Sequence, residues 1–312
     1  MANRIARLLF GTVLSVVLVA SAPRAQAYLL AYEGFDYPAG TDLTGAIANG
    51  GFGWTTPWGV NSSGTTIVGN ALGDLASAGS LIYIDSNNRQ LFASGGKGFF
   101  SGQAGTSQPF RDFLNPNAGN EGTIWLSFLA QRVGPTTNIA ATPYNPYPRA
   151  GNFSLYEGNS ERLAIGNSSG APSNNIALIP AGSLSNLRPS TNDFSLLNLA
   201  VVRIDYGPTN NDTAYLFVNP GLGLEPNIAN ASATTSGMTN IWNFNFLRVR
   251  PFAGGTDTGN SRPYAELYVD EIRIGTTWQD VTPWITVVPE PSAVSLALVG
   301  GFLAWRVTRR RR

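Results

Sequence analysis

Short segments with a two-residue repeat of apolar side chains constrain the fold of this chain more than any other feature. Neighbouring side chains of a strand point to opposite faces, so this period indicates β-strands with one buried face. The 35 glycines and 20 prolines separate the segments, and no long segment has the period of a helix. The pattern predicts one all-β domain, a sandwich or barrel of short antiparallel strands. The clearest segments are 124–131, 200–206, 214–218 and 242–247, and the weaker ones are 81–84, 98–100, 152–156 and 162–166.

The last predicted strand, over residues 267–274, changes its phase in the middle. Its apolar residues fall on odd positions before Asp270 and on even positions after Glu271. A strand keeps one face buried only if this parity is constant, so the sequence predicts a β-bulge at these two residues. Upstream, the Gly-Pro and polar residues of 207–212 are typical of a turn and predict a hairpin between the flanking strands.

Both ends of the chain have the composition of targeting segments. Near the start, two arginines precede an uncharged run over residues 8–20, and small residues follow up to Ala25 and Ala27. This is the pattern of a secretory signal peptide, so residues 1–27 are expected to be removed by a signal peptidase after Ala27. The folded domain is then expected to span residues 28–285.

The other end combines three features within residues 286–312. The tripeptide Pro289-Glu290-Pro291 precedes an uncharged run over 292–305, and the closing basic residues include Arg309, Arg310, Arg311 and Arg312. As a helix the uncharged run is about 21 Å long, which is shorter than the bilayer core of about 30 Å. The arginines favour the cytoplasmic side, which places the preceding domain on the other side.

This arrangement resembles the PEP-CTERM sorting signal of Gram-negative bacteria. The resemblance implies recognition by an exosortase-type membrane protease, cleavage near the Pro-Glu-Pro motif and transient anchoring in the inner membrane. It also implies export to the periplasm, the cell surface or an extracellular matrix that contains polysaccharide. The alternative is an ordinary C-terminal tail anchor.

Charge and composition exclude several classes of function. Eight of the 20 basic residues and one of the 19 acidic residues lie in the targeting segments, which leaves 12 basic and 18 acidic residues and a net charge of about −6. Such an acidic domain argues against nucleic acid as a partner. The chain has no cysteine and no histidine, which excludes thiol and imidazole catalysis and disulfides. We expect no haem, zinc or nucleotide, and calcium is the leading metal because only oxygen ligands remain.

Three stretches resemble parts of concanavalin-A-like (laminin-G-like) jelly-roll domains, namely residues 32–37 with Trp54, residues 123–129 and residues 267–278. The resemblance implies an antiparallel β-sandwich whose first and last strands are neighbours and hold one structural calcium ion. Carried over to this chain, its ligands are Glu33 or its backbone and the Asp270 side chain, with Asp36 as a further candidate. The alternative is that the acidic pair at 270 and 271 only marks a bulge.

The carboxylates of the sequence give little support for catalysis. A glycosidase needs two carboxyl groups about 5 to 9.5 Å apart, and the Glu-x-Asp-x-x-Glu string of laminarinase-like relatives is absent. Glu157 and Glu161 are separated by a turn-like sequence, and would be about 13 Å apart in an extended strand. We therefore predict that the protein is not an enzyme, with a carboxylate-dependent glycan hydrolase or lyase as the alternative.

Aromatic residues in loops predict glycan binding, because sugar sites combine aromatic faces with polar side chains. Trp58 lies in a Thr-Thr-Pro-Trp-Gly loop, and Tyr144, Tyr147 and Arg149 lie in a Pro/Tyr-rich loop. The alternative is that the prolines stiffen an insertion and the tyrosines pack beneath it. We predict an exported surface or matrix protein with a structural or carbohydrate-binding β-sandwich, and a self-assembling structural protein as a further alternative.

Overall fold

A computed structural model describes most of the predicted domain. It covers residues 28–43, 48–59, 74–77, 79–102, 109–114, 122–133, 149–157, 160–168, 173–181, 183–207, 211–238, 246–253 and 265–287. The predicted signal peptide and the Pro-Glu-Pro motif with its uncharged run and arginines lie outside these residues. None of the helices in the described ranges has the length and apolar character that a membrane crossing requires.

The described residues form sixteen strands and one short helix, α1 (Trp278–Val281). Two 3-10 turns lie at Leu184–Asn186 and Ile228–Asn230. The strands in chain order are β1 (Leu29–Glu33), β2 (Asp74–Ser77), β3 (Arg89–Leu91), β4 (Lys97–Ser101), β5 (Arg111–Leu114), β6 (Gly122–Arg132), β7 (Gly151–Glu157), β8 (Ser160–Asn167), β9 (Asn175–Pro180), β10 (Arg188–Asp193), β11 (Asn198–Tyr206), β12 (Asp212–Val218), β13 (Ala233–Met238), β14 (Phe246–Ala253), β15 (Glu266–Gly275) and β16 (Trp284–Thr286).

Two antiparallel sheets form a sandwich. The eight-stranded sheet has the order β13-β12-β11-β6-β15-β4-β2, and β1 also pairs with β15. The six-stranded sheet has the order β10-β9-β8-β7-β14-β5, and β3 and β16 form a separate two-stranded ribbon. The prediction of an all-β antiparallel sandwich of the jelly-roll type is confirmed.

The main core lies between the two sheets. Every second residue of β6, such as Leu126 and Phe128, faces this core, and Phe153 and Leu155 of β7 face it from the other sheet. The rings of Phe128 and Phe153 stack with centroids 4.4 Å apart. The period-2 pattern of the sequence therefore reports burial between the sheets, as predicted.

A second, smaller core covers the outer face of the eight-stranded sheet. Trp125 and Leu129 of β6 pack there with Phe217 of β12, and Trp278 of α1 and Leu91 of β3 close over them. The Trp125 and Trp278 rings meet edge to face at 5.4 Å. Because both faces of β6 are buried, its outward residues Trp125 and Leu129 are apolar as well.

Most of the predicted strands are present. The segments at 124–131, 200–206 and 214–218 correspond to β6, β11 and β12, and the predicted hairpin joins β11 to β12. The weaker segments near 98, 152 and 162 correspond to β4, β7 and β8. The prediction of a strand at 81–84 is wrong, because this segment contributes only an isolated bridge from Ile84 to Gln90. Residues 242–245 lie outside the described part of the chain.

The bulge in β15 is confirmed. The pairing with β6 shifts its register between Asp270 and Arg273, and Glu271 has a left-handed φ of 54°. On its other edge, β15 pairs with β4 before the bulge and with β1 after it. The first and last strands of the sandwich are thus neighbours, as the jelly-roll resemblance implies.

Candidate functional site

Glu33 and Arg111 form an ion pair between the two sheets. Glu33 ends β1, Arg111 begins β5, and both side chains are buried. The carboxylate also accepts hydrogen bonds from the Tyr37 hydroxyl and the Trp58 Nε1–H, each at 2.9 Å. The guanidinium carbon lies 5.0 Å from the ring centroid of Trp54 and 5.8 Å from that of Trp58. This fully bonded pair ties the sheets together and leaves no oxygen of Glu33 open to a ligand.

Trp58 is part of this interior cluster. It is fully buried, and its ring stacks on Phe35 with centroids 5.6 Å apart. The prediction that Trp58 presents its ring to a glycan is therefore wrong. The physical reason is the Glu33 carboxylate, which needs hydrogen-bond donors once it is placed in an apolar core.

A second buried cluster lies on the outer face of the eight-stranded sheet, at the bulge in β15. The Glu271 carboxylate forms an ion pair with Arg273 and accepts hydrogen bonds from the Ser94 backbone N–H at 2.7 Å and the Tyr32 hydroxyl at 3.1 Å. Burial raises the pKa of Tyr32 to about 12. These bonds attach residues 79–94, which we call the covering segment, to the sheet.

Asp270 is the most perturbed carboxyl group of this cluster. Its Oδ2 accepts a hydrogen bond from the Leu81 backbone N–H at 2.7 Å, and its Oδ1 accepts one from the Glu271 N–H at 2.8 Å. Burial raises the pKa of Asp270 to about 9, and the neighbouring charge of Glu271 acts in the same direction. Through its two hydrogen bonds Asp270 acts as an anchor for the covering segment.

The three residues predicted to bind calcium do not come together. Glu33 faces the core between the sheets, Asp270 faces the opposite side of the same sheet, and Asp36 is exposed. Donors already occupy the oxygens of Glu33 and Asp270, so this set does not fit a shared calcium ion. Among the described residues, no group of three or more acidic side chains could hold a metal ion. Calcium binding elsewhere stays a prediction.

The side of the six-stranded sheet that faces away from the core carries a polar cluster, which we call the polar face. It consists of Asn152, Ser154 and Tyr156 of β7 and Glu161 of β8, and the register places Tyr156 opposite Glu161. The three β7 side chains are buried, and Glu161 is half-buried. Burial raises the pKa of Glu161, although its hydrogen bond with Ser154 acts in the opposite direction.

The contacts of Ser154 define the protonation of this face. Its Oγ lies 2.8 Å from Asn152 Oδ1 and 2.5 Å from Glu161 Oε1. A hydroxyl has one proton and can donate it to only one of these acceptors. The other contact must donate to Ser154, either from a protonated Glu161 or from the Asn152 amide in its flipped orientation. The raised pKa of Glu161 favours the first arrangement.

A cavity of about 310 Å³ lies where edge strands of the two sheets approach each other, and we call it the edge cleft. Strands β8 and β10 of the six-stranded sheet line one side, and β13 of the eight-stranded sheet lines the other. The side chains that matter for a ligand are those of Arg162, Asn186, Arg188, Thr235, Ser236 and Met238.

The two arginines give the edge cleft a positive charge. Arg162 forms an ion pair with Glu157, with Nε 2.8 Å from the carboxylate, and both side chains are about one-third exposed. Arg188 is exposed, its guanidinium donates to the Leu187 carbonyl at 3.2 Å, and no acidic side chain of the described residues pairs with it. The cleft thus has two guanidinium groups and one neighbouring carboxylate, in a domain that is acidic as a whole.

The Pro/Tyr-rich loop lies outside the described residues except for Arg149. Tyr144 and Tyr147 lie outside the described residues, so their role in binding stays a prediction. Arg149 is half-buried just before β7, and its carbonyl accepts a hydrogen bond from the buried Arg132. Arg149 makes a further interaction within the protein, and its binding role also stays a prediction.

Sequence reasoning missed both arginines of the edge cleft. Arg162 starts a weak strand signal, and Arg188 lies in an Arg-Pro-Ser-Thr-Asn-Asp segment without apolar alternation. Each is unremarkable alone, because the cleft exists only where β10 and β13 come together across the sandwich. The one available sequence signal is that the domain has few basic residues, so each arginine is a candidate for a specific role.

No protein-family model and no curated protein matches the chain in sequence. Among solved structures, the chain is similar to an endo-β-1,4-glucuronan lyase from the fungus Trichoderma reesei, with 12% identity and a TM-score of 0.34 over 65% of this chain and 90% of the lyase. It is also similar to the alginate lyase Aly36B, with 11% identity and a TM-score of 0.35 over 60% of this chain and 82% of that one. A third similar structure is that of the basic winged bean lectin with Tn-antigen, with 14% identity and a TM-score of 0.34 over 62% of this chain and 89% of the lectin.

These neighbours are carbohydrate-binding and carbohydrate-active β-sandwich proteins, and the likeness is one of fold alone. They correct one prediction made from the sequence. The exclusion of an enzyme is contradicted, because polysaccharide lyases stand among the similar structures next to a lectin. We therefore do not retain that exclusion.

Proposed function

We propose that this protein is an exported, surface- or matrix-associated β-sandwich that binds an acidic polysaccharide at its edge cleft. The observation that supports the proposal is that Arg162 and Arg188 line the same cavity of an otherwise acidic domain. Export and exosortase-type sorting are part of the proposal, and their support is the composition of the two targeting segments.

The chemistry of the cleft suits a sugar that carries a carboxylate. A guanidinium group binds a carboxylate through two parallel hydrogen bonds, which a neutral hydroxyl cannot match. Asn186, Thr235 and Ser236 supply neutral partners for sugar hydroxyls, and Met238 supplies an apolar wall. The cavity volume lies at the lower end of the range for ligand pockets, which suits a short part of a chain.

The test compares binding of glucuronan and of a neutral β-glucan to the mature protein by calorimetry. We expect binding of glucuronan, and a dissociation constant about 10- to 100-fold higher for Arg188→Gln, since a hydrogen bond to a charged group contributes about 1.5–3 kcal/mol. Arg203→Gln is the matched control, because it removes the same charge from β11, outside the cleft. Equal binding of the neutral glucan, or an Arg188→Gln protein that binds as the wild type does, would contradict the proposal.

A second candidate function is a glycan-active enzyme in which Glu161 donates a proton. It is favoured by the contacts of Ser154, which are satisfied when Glu161 is protonated. A two-carboxylate hydrolase gains no support from this face. The next carboxylate in the same row of the register, Asp112, is three strands away, or about 14 Å, which exceeds the separation of about 9.5 Å that such enzymes use. Glu157 is nearer, next to Tyr156 in β7, but strand parity directs it to the other face, and it forms an ion pair with Arg162.

The chemistry that a single carboxyl group can carry is an elimination in which Glu161 accepts the proton lost from the sugar carbon and then donates it to the leaving oxygen. Incubation with acidic polysaccharides should release unsaturated sugar ends, and Glu161→Gln should abolish the release while Arg203→Gln leaves it unchanged. Failure of the wild-type protein to release either unsaturated or reducing ends would rule out this second candidate.

A further inference from the structure

Three chain segments next to α1 form an apolar ribbon on the surface. Residues 82–85 pair with β3 through the bridge of Ile84 to Gln90, and β3 pairs with β16 so that Gln90 lies opposite Ile285. This bridge is made by two hydrogen bonds, from the Leu91 N–H to the Tyr83 carbonyl and from the Asp85 N–H to the Arg89 carbonyl, each at 2.9 Å. Ile84, Gln90 and Ile285 thus form one row across the ribbon.

One face of this ribbon is apolar and exposed. Ile82 and Phe92 lie two residues from Ile84 and Gln90, so strand parity places them on the same face as the row. The exposed fractions of Ile82, Ile84, Phe92 and Ile285 are 56%, 47%, 50% and 49%. These four residues define what we call the ribbon face, whereas Leu91 on the opposite side is fully buried in the second core.

The ribbon face lies where the chain leaves the described structure. Val287, directly after β16, still donates a hydrogen bond to the Asn88 carbonyl at 3.0 Å. The uncharged run of the sorting signal begins at Ser292, five residues later, and five residues span at most about 18 Å. A membrane that holds this run therefore lies within that distance of the ribbon.

We infer that the ribbon face rests on the surface of the lipid bilayer while the C-terminal segment anchors the protein. The uncharged run is too short as a helix to cross the bilayer core alone, so contacts from the adjoining domain would strengthen its anchoring. Trp284 is 43% exposed, but it lies opposite Leu91 in the register, so strand parity places it on the other side of the ribbon and outside the ribbon face.

The charges around the ribbon show which feature of the bilayer it would bind. Arg89 is the basic residue of the ribbon itself, and it already forms an ion pair with Asp85 at 3.5 Å and lies over the Trp284 ring at 5.2 Å. The basic side chain described on the ribbon is thus already paired, and burial of the apolar side chains of the face drives the contact. The contact of the ribbon face should therefore not require anionic lipid. This inference depends on the tail sequence and does not rest on glycan binding.

The absence of cysteine allows a direct test in the full chain. Single substitutions Ile285→Cys, Leu184→Cys and Leu298→Cys are labelled with an environment-sensitive dye, and the proteins are reconstituted in phosphatidylcholine liposomes that contain a lipid-borne quencher. Leu184 is the matched control, since it is 46% exposed in the 3-10 turn between β9 and β10. Leu298 reports insertion of the uncharged run itself.

We expect loss of emission at positions 285 and 298 and none at 184, and a smaller loss at 285 when Ile84→Ser is added. Quenching at 298 without quenching at 285 overturns the inference. So does equal quenching at 184 and 285, which would mean unspecific adsorption. Protection of the label at 285 without quenching would mean that a second copy or the tail covers the face. No quenching at 298 would show that the run is not inserted, which removes the basis of the inference.

Discussion

Replacement of Arg111 by methionine tests the role of the ion pair between the sheets. Methionine keeps the apolar stem between Trp54 and Trp58 but leaves the Glu33 carboxylate buried without a cation. Loss of one partner of a buried ion pair costs about 3–5 kcal/mol. Arg111 also donates to the carbonyls of Thr56 and Gly50, at 3.1 and 2.8 Å, which lose a charged donor as well.

Three donors still hold the Glu33 carboxylate in the variant, namely the Phe35 N–H, the Tyr37 hydroxyl and the Trp58 Nε1–H. They keep the loss within this range, so we expect a decrease of about 4 kcal/mol in the free energy of unfolding. For a domain of this size, 1 kcal/mol corresponds to about 2–4 °C, which gives a melting temperature about 8–16 °C lower.

Thermal denaturation followed by circular dichroism measures this change. The control is the double variant Arg111→Met, Glu33→Gln, which removes both charges and should recover much of the loss. A melting temperature for Arg111→Met close to that of the wild type would refute the reasoning. So would a double variant as unstable as the single one, since the cost would then not come from the unpaired charge.

Three further predictions concern other parts of the sandwich. Because the pKa of Asp270 is raised from 3.8 to about 9, the folded state binds the Asp270 proton more tightly than the unfolded state, and the free energy of unfolding should decline as the pH rises between these two values. Denaturation curves of Asp270→Asn measured over the same pH range should lack this decline. Gly53→Ala should lower the free energy of unfolding by more than about 1 kcal/mol, and Gly79→Ala by less, because both glycines have φ near 80° but only at Gly53 would a Cβ collide with a backbone oxygen. Ser154→Ala should shift the pKa of Glu161 in an NMR titration, downward if a protonated Glu161 donates to Ser154 and upward if Ser154 donates to the carboxylate, and an unchanged pKa would contradict the contact.

The strands that sequence patterns identified are those whose signal is local. The alternation in β6, β11 and β12 depends only on neighbouring residues of one chain segment, and the same is true of the change of parity that revealed the bulge at Asp270 and Glu271. Burial between two sheets imposes this period on every such segment. The segment at 81–84 also alternates, but it packs on the outside of a sheet and pairs only at Ile84.

The predictions for Trp58 and for the shared calcium site were wrong, because a site depends on which chain segments become neighbours in the fold. Trp58 has the sequence context of an exposed loop, yet it folds inward to donate to Glu33. Glu33 and Asp270 belong to paired strands, yet they face opposite sides of the sheet, so they cannot share an ion. Neither fact has a signal within a few residues of these positions.

The sequence by itself determined the all-β class, the acidic charge of the domain and the absence of thiol and imidazole chemistry, because these properties follow from composition and short periods. Only the tertiary structure decided that Arg162 and Arg188 share one cavity and that Ile84 and Ile285 share one exposed face. These pairs are separated by 26 and 201 positions in the chain. Strand pairing and sheet packing over the whole domain bring them together, and no local pattern encodes that outcome.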